Sequence, residues 1–398
     1  MTKLSLCAIV KNEAKSLPQC LESVKDVVDE MIVLDTGSTD NTVEIARELG
    51  AEVYHFQWCN DFAIARNEAL DRVRGEWVLV LDADEILTPE IVPNIQQAIQ
   101  DKNNLAINLV RQEIGAAQSP YSLVSRLFRH HPEVKFSRPY HATIDDNLQL
   151  LLKREPDWRV VSLPNIAILH YGYRPEAIAS LDKHDRAKKA MEGFLKANPK
   201  DSYTCSKLGA LYLQSGKERE GIKLLKRGLK SNLAEPGVLF ELHYHLANAY
   251  SRQQKIEQAA KHYQKAIDSP ILPKLKLGAY NNFGSLLQSL GDLETAQQAY
   301  SSALEIDSNF ALGYYNLGMT LKKQGLFTDA IEAYEKSIAL APDYAYAHQN
   351  LGVVLLKIGK LPEGLSAFKK AIHLHETQNP KEAEKLSQGL QKMGFSLV

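Results

Sequence analysis

Trp77-Val78-Leu79-Val80-Leu81-Asp82-Ala83-Asp84-Glu85 decides the fold of this chain. It starts as an apolar run of strand length and breaks into three carboxylates within four residues. A run apolar on both faces suits a central strand of a parallel sheet with helices above and below. The acidic residues then stand at the strand's carboxyl end, where open α/β sheets bind their ligands. A turn starting at Asp82 lets Asp82 and Asp84 reach one ion. Hard oxygen ligands of this kind suit Mg²⁺ or Mn²⁺, held by one or two carboxylates and by substrate phosphates. A solvated acidic turn capping a core strand has the same short pattern, so the rest of the chain arbitrates.

Upstream, strands and helices alternate with short connections. Leu4 to Val10 reads as a buried strand, and Lys11-Asn12-Glu13 opens a helix that runs to about Val24. Glu30 to Leu34 is a second strand, ending in the turn Asp35-Thr36-Gly37-Ser38-Thr39-Asp40. Thr39 or Asp40 caps a helix over Val43 to Leu49, and Gly50 stops it. Ala51 to His55 is a third strand, and Asp61 to Arg72 a helix leading into the Trp77 strand. This alternation predicts a doubly wound, mostly parallel α/β sheet. Lys11 and Glu13, Asp35, and Asp82 with Asp84 then converge on one sheet edge. The first turn has no G-x-G-x-x-G, and no P-loop is present. Phosphates must therefore be handled by metal and by basic side chains such as Arg66.

Four ordered motifs, Ala8 through Glu13, Val33 through Asp40, Asp61 through Asn67 and Trp77 through Glu85, resemble the family-two glycosyltransferases. That family has the GT-A fold. The resemblance implies a nucleotide-diphosphate sugar donor, a UDP-sugar first among the choices, with Mn²⁺ or Mg²⁺. It places Val10, Glu13 and Asp35 at the nucleoside, Arg66 near the diphosphate, and Asp82 and Asp84 at ribose and metal. Many relatives have a second aspartate where Thr36 stands, which leaves the base open.

A further strand is expected over Asn104 to Val110. Ser125-Arg126-Leu127-Phe128-Arg129 and the closing His170-Tyr171-Gly172-Tyr173 also resemble a subset of the family. The subset's His-Glu pair reads His141-Ala142 here, so its acid is missing. His170 ends an apolar strand, where a neutral imidazole can complete the metal shell begun by Asp84. It also suits a core histidine. Breaking the sugar–diphosphate bond puts charge on the leaving group, which a divalent cation stabilises. The resemblance implies inversion, which needs a base for the acceptor's proton. The candidates are Asp145, Asp146, Glu113 and His141.

After Tyr173 the pattern becomes helical. Leu208-Gly209, Leu246-Ala247, Phe283-Gly284, Leu317-Gly318 and Leu351-Gly352 recur at intervals of 38, 37, 34 and 34. Twelve residues beyond each pair stands Gly221, Ala259, Ala296, Ala330 or Gly364. Four further on stands Leu225, Tyr263, Tyr300, Tyr334 or Phe368. This is the tetratricopeptide pattern, a stack of helical hairpins in which these positions pack. The expected organisation is a transferase domain over 1–175, a helical linker or half-repeat over 176–200 beginning near Ala177, five repeats over 201–380 and a capping helix over 381–398. Such a solenoid offers a groove to a protein or peptide, as acceptor or partner. Tyr280, Tyr314 and Tyr315 are candidates for that groove, for the core, or for self-association into a homo-oligomer.

The net charge of −1 gives no electrostatic case for nucleic acid or an anionic membrane. The four cysteines show no C-x-x-C spacing, which fits a reducing compartment. No run approaches the length of a membrane span and the opening segment reads as a strand, so a cytoplasmic location is expected. The leading expectation is a metal-dependent glycosyltransferase of hexosyltransferase type, whose repeats bind a protein or peptide. The alternatives are a non-catalytic scaffold with a degenerate transferase domain, and a transferase acting on a lipid-linked or polysaccharide glycan.

Overall fold

The computed structural model describes residues 3–116, 118–172, 181–231 and 234–395. Tyr173 and the start of the expected helix at Ala177 lie outside the described residues. The chain divides into two compact units, Met1–Val238 and Leu239–Val398.

In the first unit the expected alternation is present: β1 (Leu4–Val10), α1 (Leu17–Glu22), β2 (Glu30–Asp35), α2 (Thr42–Glu48), β3 (Glu52–His55), α3 (Phe62–Leu70) and β4 (Trp77–Val80). The expected helix from Lys11 shrinks to α1, because Asn12 takes a left-handed φ of 57° and the chain turns before Pro18. The chain continues through β5 (Glu85–Leu87), α4 (Val92–Ile99), β6 (Asn104–Glu113), β7 (Tyr121–Arg129), α5 (Asp145–Arg154) and β8 (Arg159–His170). The eight-stranded sheet has the order β3-β2-β1-β4-β7-β6-β8-β5. The β3-β2-β1-β4 half is parallel, and β7 joins β4 antiparallel.

Period-two alternation explains why the Trp77 run is apolar throughout. Trp77, Leu79 and Leu81 face one core, with Leu4, Leu6, Ala8, Met31 and Val33. Val78 and Val80 face the other, with Cys7, Ile32, Leu34 and Phe128. β4 is therefore buried on both sides, and the polar residues follow its carboxyl end.

The register of β7 against β6 shifts between Ile107 and Leu109. Leu127 and Val124, three residues apart, both pack in the first core. One extra residue is accommodated between them, a β-bulge that puts Ser125 and Arg126 together opposite Asn108. Ser125 Oγ lies 2.9 Å from the Asn108 side-chain amide.

Beyond the sheet the described elements are helical: α6 (Leu181–Ala197), α7 (Ser202–Gln214) and α8 (Glu218–Gly228). Further on, helices pair as Pro236–Arg252 with Ile256–Ile267, and Leu277–Leu290 with Leu293–Ile306. Ala311–Gln324 pairs with Phe327–Leu340, and Ala345–Lys357 with Leu361–Gln378. The small residues have the expected packing role. A Cβ at Gly284 would lie 2.8 Å from the Tyr300 ring, at Gly318 2.8 Å from Tyr334, and at Gly352 2.7 Å from Phe368. The last helix, Pro380–Lys392, buries Ala383 and Leu390 beside Phe368 and Ile372 and leaves a polar outer side. Tyr315 lies between repeats, with ring centroids 6.1 Å from Tyr334 and 4.9 Å from Tyr344. No described helix is long and apolar enough to cross a membrane.

Candidate active site

The carboxyl ends of β1, β2 and β4 lie side by side, because the three strands are parallel neighbours. Val10 is the Cα partner of Asp35, and its carbonyl accepts from Thr36 N at 2.9 Å and Thr36 Oγ1 at 3.0 Å. Thr36 is thus turned inward. Asp35 is buried and accepts from the backbone N–H groups of Gly37 and Ser38 at 3.1 Å. His55 Nδ1 lies 3.4 Å from Asp35 Oδ2, and its side chain is 61% exposed. Glu13 occupies the turn after β1. Its amide donates to Thr42 Oγ1 at 2.8 Å, and its carboxylate accepts from Ser16 Oγ at 2.5 Å.

At the end of β4 the chain turns at Asp82, whose carbonyl accepts from Glu85 N at 2.9 Å. This splits the quoted stretch into two strands. Asp82 Oδ1 meets Arg66 Nη2 at 2.6 Å, and Oδ2 meets Arg126 Nη2 at 2.8 Å. The bulge in β7 aims Arg126 here. Arg66 is buried at the middle of α3, whose N-cap Asp61 accepts from Ala63 and Ile64 N–H groups. Burial opposes the charged Asp82, but the two guanidiniums outweigh it and hold the carboxyl well below the usual range. Burial, with repulsion from Arg126, lowers Arg66. Arg66 Nε and Nη1 and Arg126 Nη1 are buried without a hydrogen-bond partner among the described residues.

Asp84 lies across from β8. Its Oδ2 is 3.4 Å from His170 Nε2, and His170 Nδ1 donates to Glu113 Oε2 at 2.5 Å. A carboxylate only accepts, so Nδ1 carries the proton in this bond. Burial opposes the charge on His170, but Asp84 and Glu113 outweigh it and push the ring up to about 9. Glu113 is buried. Desolvation would raise it, yet His170, Arg111 and Ser122 bring it down to about 2.

These side chains form one alternating chain of charge: Arg66, Asp82, Arg126, Glu85, Arg111, Glu113, His170, Asp84. Among the described residues no three His, Cys, Asp or Glu side chains converge as a preformed metal site. Two donors, Asp84 and His170, face one another. Glu113 behind the imidazole orients it, as in carboxylate–histidine–metal arrangements. A carboxylate and an imidazole are a donor set that fits a divalent cation completed by phosphate oxygens.

Each carboxylate oxygen of Asp82 already meets a guanidinium and keeps one further lone pair. Glu113 is not placed as an acceptor base, because His170, Arg111 and Ser122 hold it. Asp145 and Asp146 open α5. Asp145 accepts from Ser125 Oγ at 2.5 Å and from Thr143 Oγ1. Asp146 pairs with Arg138 at 2.6 Å, and Arg138 also holds Asp201, the N-cap of α7, at 2.7 Å. His141 is exposed on a left-handed backbone, φ 52°, edge-on to Tyr140. Sequence reasoning missed Arg111 and the buried Glu85. The spacing of Arg111 and Glu113, two apart on a strand, was the available signal.

Residues 5–161 match "Glycosyl transferase family 2". Tetratricopeptide repeat families match residues 240–269, 284–325, 311–344 and 333–365. The chain carries a glycosyltransferase family 2 domain with a GT-A-like sheet, followed by tetratricopeptide repeats. A TPR repeat-containing protein of Synechococcus elongatus is 43% identical over 304 residues, covering 76% of this chain and 75% of that protein. The SPbeta prophage-derived glycosyltransferase SunS of Bacillus subtilis is 30% identical over 232 residues. That match covers 56% of this chain and about half of SunS, 52%. An uncharacterized glycosyltransferase of Rickettsia felis is 39% identical over 103 residues, 26% of this chain and 36% of that one.

Proposed function

We propose that the protein transfers a hexose from a UDP-sugar to a protein or peptide acceptor, inverting the anomeric centre, with Mn²⁺ or Mg²⁺ as cofactor. The observation that supports this reading most is the 3.4 Å approach of Asp84 and His170, with Glu113 fixing the ring. Asp84 and His170 would hold the cation, which as a Lewis acid stabilises charge on the leaving diphosphate. Asp82, held between Arg66 and Arg126, serves the ribose. The unpartnered guanidinium nitrogens of Arg66 and Arg126 suit phosphate oxygens, which accept such donors strongly. Val10, Glu13 and Asp35 surround the nucleoside.

The acceptor's proton needs a base. Asp146 is neutralised by Arg138, which leaves Asp145 ahead of His141. The repeat helices present the acceptor or a partner protein, and the reaction takes place in the cytoplasm.

Calorimetry of the full chain against a panel of nucleotide-diphosphate sugars, with and without Mn²⁺, tests the reading. Metal-dependent binding of one donor is expected. No binding across the panel by folded protein would overturn it.

A further inference from the structure

Three strands meet beside the site in a fixed register. Glu85 on β5 and Glu113 on β6 are both Cα partners of His170 on β8. Arg111 precedes Glu113 by two residues on β6, so both side chains leave the same face of the sheet. Arg111 Nη1 donates to Glu85 Oε1 at 2.8 Å, and its Nε and Nη2 reach Glu113 Oε1 at 2.9 and 2.8 Å. The other oxygen of each carboxylate carries the connection onward. Glu85 Oε2 accepts from the backbone N–H of Asp82 at 2.9 Å. Glu113 Oε2 accepts from His170 Nδ1 at 2.5 Å. One guanidinium therefore joins the backbone of the acidic turn to the imidazole ring.

We propose that Arg111 is a positioning residue for the cation site, holding the Asp82–Asp84 turn and the His170 ring in one frame. The inference rests on the reading of Asp84 and His170 as the cation's protein ligands. Arg111 touches neither. It acts through two buried carboxylates whose free oxygens are already committed to Asp82 and His170. The planar fork of arginine suits this role, because it presents donors to both carboxylates at once in a rigid geometry. A lysine ammonium is a point charge on a flexible stem and cannot hold both. Without the guanidinium, Glu85 and Glu113 face each other as like charges with less to neutralise them. Glu113 then turns away from the ring, and His170 loses its fixed orientation. Ser122 Oγ donates to Glu113 Oε1 at 2.7 Å, but it is neutral and reaches only one of the two carboxylates.

The test compares the full chain with Arg111→Lys and, if that variant does not fold, Arg111→Gln. Two readouts are taken. In metal-free protein, proton NMR follows the downfield resonance of the imidazole N–H bonded to Glu113, assigned by its loss in Glu113→Ala. Electron paramagnetic resonance then titrates Mn²⁺ alone. The expected result is exchange of the His170 proton with solvent at least about tenfold faster, and Mn²⁺ affinity reduced about tenfold or more. Backbone amide spectra away from the site stay unchanged. A variant that keeps both the proton's protection and Mn²⁺ affinity within about twofold of the parent overturns the proposal. If the parent chain itself binds no Mn²⁺, the cation reading falls, and the proton exchange still decides whether Arg111 orients His170.

Discussion

Gly172 stands directly against the ring of His170. A Cβ at residue 172 would lie 2.5 Å from His170 Nε2 and 3.3 Å from Asp84 Oδ2. No side chain fits there while the imidazole keeps its place. The ring itself is anchored from behind by Glu113, so it cannot withdraw without breaking that bond. Gly172→Ala is therefore expected to force His170 away from Asp84 and to weaken Mn²⁺ binding about tenfold or more. Mn²⁺ titration by electron paramagnetic resonance checks this. Unchanged affinity would show that the pair does not form the cation site.

Asp82 separates two buried guanidiniums. Asp82→Asn keeps the shape of the side chain and removes the charge that Arg66 and Arg126 share. Breaking a fully buried pair costs roughly 3–5 kcal/mol. Asp82 is a third exposed, so a smaller loss is expected, on the order of 2 kcal/mol. Urea denaturation of the variant checks the value. A stability equal to the parent's would mean that the two arginines find other partners.

Two glycines in helices should respond to alanine with opposite signs. Alanine favours a helix over glycine by about 1 kcal/mol. At Gly193 nothing lies within 4 Å of the added methyl, so Gly193→Ala should stabilise by up to about that amount. At Gly318 the methyl would meet the fully buried Tyr334 ring at 2.8 to 3.1 Å. Overpacking costs about 1–3 kcal/mol, which outweighs the helical gain. Thermal melts of both variants read the signs. A Gly318→Ala protein more stable than the parent would show that the ring has room to shift.

The second unit should lose stability in acid through His243. Burial, with a smaller contribution from Lys265, lowers its pKa from 6.5 to about 4. Its Nδ1 lies 2.8 Å from Nδ1 of His262. The folded pKa is below the unfolded one, so the unfolded chain takes up the proton first. This contribution to stability is complete above pH 6.5 and is lost as the pH falls toward 4. The expected loss is on the order of 2 kcal/mol. Denaturation at several pH values, compared with His243→Asn, checks it. The variant should show a flatter profile over that window.

Much of the fold was legible because its signals are local. The Trp77 run is apolar throughout since both faces of β4 are covered, and Gly284, Gly318 and Gly352 recur since an aromatic ring fills each gap. Asp84 and His170, 86 positions apart in the sequence, were both candidates because each ends an apolar strand. The turn at Asp82 was legible in the acidic break, but the short strand β5 after it was not. Nor was the late start of the first helix, since Asn12 in a left-handed conformation leaves no periodic trace.

The sequence by itself determined a parallel α/β half followed by helical repeats, and it named most of the charged residues of the site. Only the tertiary structure decided how they pair. Asp82 went to Arg66 and Arg126 because a bulge in β7 aims Arg126 across the sheet. Glu113 became the support of His170, not an acceptor base, because β6 and β8 pair in the register that sets one beside the other. The physical reason is that strand periodicity is written in neighbouring residues. The partner of a buried charge depends on register and on which distant strand lies alongside.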